Sequence, residues 1–538
     1  MFKYGGKKHY VSAILNALKK LLKGTYKRYE FPKDVNKVND SLIQVDSFQL
    51  NLSKINEKGT KRKSSGVYYT DRDVTDYMVL NAFNHFVSPS LCSLSDTNTI
   101  DNRFQKLDTQ TKEKLLAASV FDPTCGAGEF LISALALKLQ LLGINENTIS
   151  KSVDLIDTIN GNDIDETSTD ISKIRLFFFV IDSFAQELDL DSIAKTLDRN
   201  FCNVDAVNYT GNVFAHYDII VGNPPYIEYG KYEGCVVNDY GNVYADVMQN
   251  VSSLLNTNGV LSFVVPLSYI STARMSAIRE YVQVQTGKQL LINFADRPDC
   301  LFTGVHQKLT IVFAQKVATK VGVFSSKYYH WYKTERELLF QNIPLVKIDT
   351  TDTRFWPKLG DSIASSIFSK ILKFDGIDFL SSCGSKKTSS IYINLRACFW
   401  MKAFSFDMHS NSYKPYCIDK SMVPFVLCLL NSSLFFLIWT IISDGWHITN
   451  KELTFIKLPR RIPKPKKWEI LQKDLEKKLE ETKVYVGTKQ IDYEYKHKFC
   501  KKIIDEIDRE LQSVYGLSDE EVKYIQTFNE KYRISDGA

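Results

Sequence analysis

Asp218-Ile219-Ile220-Val221-Gly222-Asn223-Pro224-Pro225-Tyr226 runs from a short apolar segment into a stiff turn, and the rest of the chain can be read outward from it. A short apolar run ended by glycine and proline has the pattern of a buried parallel strand. Open α/β sheets hold ligands outside the carboxyl ends of their strands, which is where this turn would sit. Two prolines fix φ and remove two backbone donors, leaving rigid carbonyls free to accept. Asn223 adds a side-chain carbonyl and Tyr226 a flat stacking surface, a combination suited to a planar group bearing an NH2. A proline-rich turn that merely closes a strand has the same letters, so the surrounding chain must decide.

Upstream, Ser119-Val120-Phe121 leads into Asp122-Pro123-Thr124-Cys125-Gly126-Ala127-Gly128, and Phe130 to Leu141 follows as an apolar helix. Strand, Gly-rich turn and helix make the first half of a nucleotide-binding βαβ unit. The triple-glycine dinucleotide pattern is absent and an acidic residue opens the turn. Asp122 would repel a pyrophosphate but suits a ligand with a cationic or hydroxyl-bearing end, so charge favours S-adenosylmethionine over NAD. The next strand, within Asp157 to Asp165, ends in acids, and the tip of a second strand commonly holds a ribose diol. Asp163, nearer the strand end, is preferred to Asp165. A helix over about Thr167 to Gln186 precedes a short strand, Phe201 to Val204, ending in Asp205. That acid would take the adenine amine of the cofactor, although a plain turn cap has the same appearance.

Gly66-Val67-Tyr68-Tyr69-Thr70 opens a helix pattern through Val74, Met78, Val79 and Ala82, with Thr70 or Asp71 as its cap. Beside a carboxylate-bearing cofactor the free N–H groups there would form an anion site. Beyond Tyr226, helices over Tyr244–Leu255 and Ile270–Val282 alternate with strands over Val260–Val265, Leu290–Phe294 and Leu309–Phe313. This alternation predicts a doubly wound sheet. Between the last two strands, Leu301 to Lys308 carries Phe302 and His306, both readable as structural.

Past residue 320 the alternation stops. Lys358–Leu372, Ser381–Ser390, Phe399–Phe406 and the turn Asp444-Gly445-Trp446-His447 mix basic and aromatic residues, a composition suited to phosphate contact and to an ordinary mixed domain alike. Lys457, Arg460, Arg461, Lys464, Lys466 and Lys467 crowd a proline-rich linker that reads equally as solvated or DNA-contacting. The remainder is charged and helical, including Asp492 to Lys496, and Ser518 with Glu521 predicts a capping box.

The 538 residues, 44% hydrophobic and 24% charged with net charge +6, describe a multi-domain soluble protein able to bury large cores. Ten cysteines without a Cys-x-x-Cys pair argue against zinc and disulfide frameworks and for a reducing, cytoplasmic setting. Val11 to Leu22 reads as a basic amphipathic helix, and Val423 to Ile442, broken by Asn431, Ser432 and Ser433, as two buried helices rather than a membrane span. The boundaries expected are a basic helical extension over 1–65, a catalytic segment over 66–325, a target-recognition segment over 326–465 and a helical segment over 466–538. The extension, with Lys58, Lys61, Arg62 and Lys63 at its end, is a packed helix or a phosphate-contacting arm, and lacks the carboxylate pattern of a metal-dependent nuclease.

The ordered set Gly66–Thr70, Asp122–Phe130, Gly161–Asp165, Asp205, Gly222–Tyr226 and Phe302 resembles the γ class of DNA adenine amino-methyltransferases with an NPPY motif, of restriction-modification type. A looser resemblance to single-chain restriction-modification methylases covers Leu429–Pro459 and Tyr515–Leu517. The resemblance implies a Rossmann-like α/β methyltransferase sheet with a mixed α+β recognition region, and S-adenosylmethionine as cofactor. It implies that Tyr69, Thr70, Asp122, Thr124, Gly126, Gly128, Asp163, Asp205 and Asn223 line the cofactor pocket. Asn223 and Pro224, with Pro225 and Tyr226, would receive the target amine, and Tyr226 and Phe302 would stack on the extruded base. Lys457, Arg460, Arg461 and Lys464 would contact DNA. Implied partners are double-stranded DNA and a separately encoded restriction endonuclease, with no membrane. Methylation of a protein glutamine or an RNA base by the same tetrapeptide is the alternative.

Overall fold

The computed structural model describes residues 8–29, 70–94, 107–143, 146–184, 188–208, 214–232, 234, 236, 238–384, 388–488 and 491–535. Tyr69 and the Lys58–Lys63 basic group lie outside the described residues. Nine strands form one sheet: β1 Val120–Asp122, β2 Ile159–Asn162, β3 Phe201–Cys202, β4 Tyr217–Gly222, β5 Leu255–Pro266, β6 Gly287–Phe294, β7 Leu309–Lys316, β8 Gly322–Tyr329 and β9 Val346–Lys347. Their spatial order is β3-β2-β1-β4-β5-β7-β6-β8-β9. All run parallel except β7, which is antiparallel to β5 and β6, and β9 at the edge.

β4 is central, so it is apolar on both sides: Ile219, Ile220 and Val221 are fully buried. Alternate residues feed two cores. Ile219 and Val221 pack with the helices Arg72–Val87, Glu129–Leu142 and Glu166–Ser183, while Ile220 faces Val243–Ser252 and Ser276–Thr286. Asp218 fixes where β4 starts, its carboxylate accepting from Ser119 N (2.9 Å) and Oγ (3.1 Å) ahead of β1 and from Asn256 Nδ2 (3.0 Å) in β5.

The helix expected over Ile270–Val282 is broken into Ser268–Ser271, a turn at Ala273–Met275, and Ser276–Thr286. Buried Arg279 explains the break, because its guanidinium donates to the carbonyls of Tyr269 (2.7 Å), Thr272 (2.9 Å) and Thr353 (2.6 Å). The sheet also continues through residue 325, the expected end of the catalytic segment, by way of β8. The C-terminal region adds a three-stranded antiparallel sheet, β10 Thr388–Asn394, β11 Ala403–Phe404 and β12 Tyr413–Asp419, with β10 in the middle. Its helices share one continuous core with the β5, β6 and β7 residues that face them.

Val423–Leu430 and Ser433–Ile442 are two buried helices bent by 60°, as expected, and no single described helix is long and apolar enough to cross a membrane. Residues 492–496 depart from the helical expectation. Val484–Tyr485 and Tyr493–Glu494 pair as a hairpin (β13, β14), the Tyr485 and Tyr493 rings 5.5 Å apart, because β-forming aromatics facing each other outweigh the charged composition. Ser518 and Glu521 form the expected capping box. The N-terminal helix Lys8–Leu22 buries Ile14, Ala17, Leu18 and Leu21, and cations at its end pair with the catalytic segment: Lys20 with Asp191, Lys23 with Asp198 and Arg28 with Glu166. The described part of the extension is therefore packed, while the basic group that the phosphate-arm reading invokes lies outside the described residues.

Candidate active site

β1 and β4 are parallel neighbours, so the Asp122–Gly128 and Asn223–Tyr226 turns leave the sheet side by side at its carboxyl edge. Strand order reverses here, β2 and β3 lying to one side of β1 and β4 and β5 to the other, which is where such sheets open a crevice. The strands press together tightly. A Cβ on Gly222 would sit 2.8 Å from Asp122 Oδ1, so only glycine admits the carboxylate there.

Asp122 is 1% exposed and accepts from Thr124 N (3.0 Å). Gly126, at φ +52, donates its N–H to Asp163 Oδ2 (3.0 Å), and Asp163 Oδ1 accepts from Asp165 N (2.9 Å). Burial drives the Asp122 carboxyl well above the usual carboxylate range, and enclosure raises Asp163 to about 6. No basic side chain pairs with either among the described residues. Space above Gly126 is open, nothing lying within 4 Å of a Cβ built there. Asp165, the alternative to Asp163, is instead the exposed N-cap of the helix Glu166–Ser183, accepting from Thr167 N.

Two residues of that helix hold the turn from beneath. Ser172 Oγ donates to Gly126 O (2.7 Å), and Arg175 donates to Ala127 O while pairing with Glu129. Neither stands out in the sequence. Their signal is polarity on the buried face of an otherwise apolar helix.

Thr70 is buried and its Oγ accepts from Asn223 Nδ2 (3.1 Å), linking positions 153 residues apart. Asn223 Oδ1 is buried with no hydrogen-bond donor in reach among the described residues. Such an acceptor is a standing loss of about 1–3 kcal/mol unless something donates to it. Pro224 is buried, Pro225 and Tyr226 are half-buried, and Tyr226 is anchored through its Oη to Val264 O (2.9 Å) with its ring edge-on to Tyr244.

Arg336 was not expected. Its guanidinium grips Asp73 (Nε–Oδ2 2.6 Å, NH2–Oδ1 2.9 Å), touches Asp71 (3.4 Å), and donates to the carbonyls of Leu301 (2.7 Å) and Cys300 (3.3 Å). Asp71 also accepts from Thr303 N and Oγ1 (2.9 and 3.0 Å). The start of the Thr70 helix and the 300–303 turn are thus one unit.

Phe302, expected as a wall for a base, is 1% exposed and packed in the core. The Phe302 carbonyl accepts from Val305 N at 2.9 Å, folding the turn inward and removing the ring from the surface. Asp205 is engaged as a turn cap by Val207 N (2.9 Å) and Asn208 Nδ2 (3.0 Å), and by Tyr232 Oη (2.8 Å) from the chain following Tyr226. Three of the four linker cations are internally paired, Lys457 with Asp378, Arg460 with Asp375 and Lys464 with Glu510, which leaves Arg461 exposed.

Strand order and turn chemistry define a Rossmann-like methyltransferase sheet with a mixed α+β region attached. Residues 157–300 match the Eco57I restriction-modification methylase family, a span holding Asp163, Asp205 and the Asn223–Tyr226 turn. Over 210 residues it is 25% identical to a Methanocaldococcus jannaschii protein described as a "Putative type II restriction enzyme and methyltransferase", an alignment spanning 34% of this chain and 17% of the relative. Among solved structures, the Type IIL restriction-modification enzyme MmeI in complex with DNA is 13% identical at TM-score 0.50, with 98% of this chain and 90% of that one covered. The type IIG restriction endonuclease BpuSI is 13% identical at TM-score 0.44, with 97% and 76% covered.

Proposed function

We propose that the protein transfers a methyl group from S-adenosylmethionine to the 6-amino group of adenine in duplex DNA, as the modification activity of a restriction-modification system. The observation that carries this is Asn223, an amide held by Thr70 with its buried carbonyl lacking a donor among the described residues. Such an acceptor calls for a donor, which an exocyclic amine supplies, with its second hydrogen left for the neighbouring Pro224 carbonyl.

The residues present fit the cofactor. Two enclosed carboxylates without a cation, beside open space over Gly126, suit a ligand bearing an ammonium and a ribose better than one bearing phosphates. Asp122, Thr124, Gly126 and Gly128 would hold its methionine end together with the backbone of Thr70. Asp163 would take the ribose, and Asp205 the adenine amine on exchanging one of its present donors. When bound, the cofactor supplies an electrophilic methyl group.

The chain's own part is to make a poor nucleophile better. The amino lone pair of adenine is delocalised into the ring. Asn223 Oδ1 and the Pro224 carbonyl, accepting its two hydrogens, would favour the pyramidal nitrogen of the transition state. No side chain has to ionise first. Tyr226, fixed at its hydroxyl, offers a ring face for an extruded base, and its stacking offsets part of the unstacking energy. Phe302 would join it only if the 301–305 turn opens.

The test is transfer of labelled methyl to duplex DNA, with digestion to identify N6-methyladenine. Asn223→Ala should lower kcat by about 10²–10³-fold, the usual effect of removing one preorganised partner of the transition state. Transfer to protein glutamine or RNA, with none to DNA, overturns the assignment.

A further inference from the structure

Trp446 is ringed by cations. Lys308 Nζ lies 4.9 Å from its ring centroid, the Arg297 guanidinium 5.5 Å and the Arg396 guanidinium 5.9 Å. These residues come from three separate stretches of chain. We propose that this cluster seats a backbone phosphate of the DNA strand beside the target pocket. The proposal rests on the duplex-DNA reading above and assigns the surface that holds the strand.

Position comes first. β6 runs parallel to β4, so the Ala295–Lys308 connection leaves the same edge of the sheet as Asn223. Three strand spacings separate β4 from β6, roughly 14 Å. With one charge per roughly 3.4 Å along each strand, that is the reach of a few nucleotides.

The backbone that carries the ring is held on both sides. Asp444 Oδ1 accepts from Trp446 N (2.9 Å) and His447 N (2.8 Å), and Trp446 O accepts from Ala397 N (2.9 Å), which brings Arg396 alongside. Gly445, at φ +73, lies where a Cβ would stand 2.4 Å from Tyr328 Oη, so the turn packs directly onto β8.

Charge then decides what the cluster accepts. Arg297 and Arg396 are exposed and have no carboxylate partner among the described residues. The nearby acids are engaged: Asp296 with Lys308 (3.0 Å), Asp444 with His447 (2.7 Å), and Asp299 accepting from Cys300 N (2.9 Å). An indole face attracts guanidinium groups without neutralising them, unlike a carboxylate, and so keeps their charge available to an anion. The proline-rich linker shows the contrast, since Lys457, Arg460, Lys464 and Lys467 each face a carboxylate.

The experiment uses the full chain and a fluorescein-labelled mixed-sequence duplex, with affinity measured by anisotropy across a salt series. For every phosphate that the protein no longer neutralises, the plot of log affinity against log salt flattens by about 0.9. Arg297→Gln/Arg396→Gln should flatten it by about 1 and weaken binding roughly tenfold. Arg297→Lys/Arg396→Lys should restore the slope, which a purely structural role would not produce. Cofactor affinity and methylation at saturating DNA should stay at wild-type levels, and Lys464→Gln should leave the slope unchanged. A wild-type slope in the double Gln variant, with methylation of DNA intact, overturns this seat alone. Failure of the unaltered protein to bind or methylate duplex DNA overturns the reading beneath it.

Discussion

Asp163→Asn should make the cofactor-free protein more stable at pH 8 and less stable at pH 4. The Asp163 carboxyl is enclosed although part of the residue reaches the surface, and enclosure raises its pKa from 3.8 to about 6. A folded-state value above the unfolded one means that the folded protein holds this proton more tightly. Its contribution to stability therefore falls as pH rises from about 4 to about 6, and stays at its lowest above that. At 1.36 kcal/mol per unit, a difference of about two units gives a penalty of about 3 kcal/mol at pH 8 and about 0.5 at pH 4. Asparagine removes that penalty. It also replaces one of two oxygens that accept backbone N–H groups, from Gly126 and Asp165, which forfeits about 1 kcal/mol at every pH. The difference is a gain of about 2 kcal/mol at pH 8 and a loss of about 0.5 at pH 4, with the curves crossing at about pH 4.5. Asp508, raised to about 6 by burial, acts equally in both proteins and cancels. Calorimetric unfolding at several pH values reads the crossing, and titration of S-adenosylmethionine should show weakened binding in the same variant. A variant less stable than the parent at pH 8 would refute the reasoning, for it would mean that Asp163 carries no ionisation penalty.

Thr70→Val keeps the shape of the side chain but removes the acceptor for Asn223 Nδ2. Leaving that donor unpaired costs about 1–3 kcal/mol, so kcat for methyl transfer should drop about 5- to 150-fold while cofactor KM, which the proposed site assigns to the backbone of residue 70, holds; an unchanged kcat is the contrary result. Arg336→Met releases the Thr70 helix from the 300–303 turn and leaves Asp71 and Asp73 uncompensated where the cofactor's carboxylate would lie. Cofactor KM should rise and kcat fall, each about tenfold or more, with partial recovery in Arg336→Lys because charge returns without the fork. Equal loss in both variants would assign Arg336 to planar geometry alone.

Much of the sheet was legible because its central strands are apolar without interruption, and nothing but burial on both faces asks for Ile219, Ile220 and Val221 in succession. The turns were legible too, because glycines and prolines restrict backbone in ways that few other functions need. Asp163 and Asp165 stand two apart on one strand tip, yet Asp163 bonds to Gly126 in the neighbouring turn while Asp165 caps a helix, a difference of task that distance to the strand end already separates. What stayed hidden depends on distant partners. Arg336 reads as one more charge in a mixed stretch until residues 71, 73, 300 and 301 are brought to it. Cations of the linker look like a DNA-contacting cluster because their carboxylates, at 375, 378, 506 and 510, are remote in sequence. The break at Thr272 was invisible for the same reason, since Arg279 repairs it with bonds that reach Thr353.

The two halves of the described chain are tied mechanically as well as by sequence order. β8 crosses the expected boundary, and Lys451 from the C-terminal region donates to Ser271 O (2.7 Å) and Ile442 O (2.9 Å), spanning it again. One apolar core runs from Leu261 and Val312 in the sheet to Phe425, Leu437 and Leu511 beyond it. Close-packed interiors transmit strain rather than absorb it. A strand seated on Trp446 would press on a turn backed by Tyr328, and β8 lies beside β6, whose connection to β7 carries Phe302. The turn that must open for Phe302 to meet a base thus lies in the same connection between β6 and β7 that supplies Arg297 and Lys308 to the surface where the DNA backbone is proposed to rest.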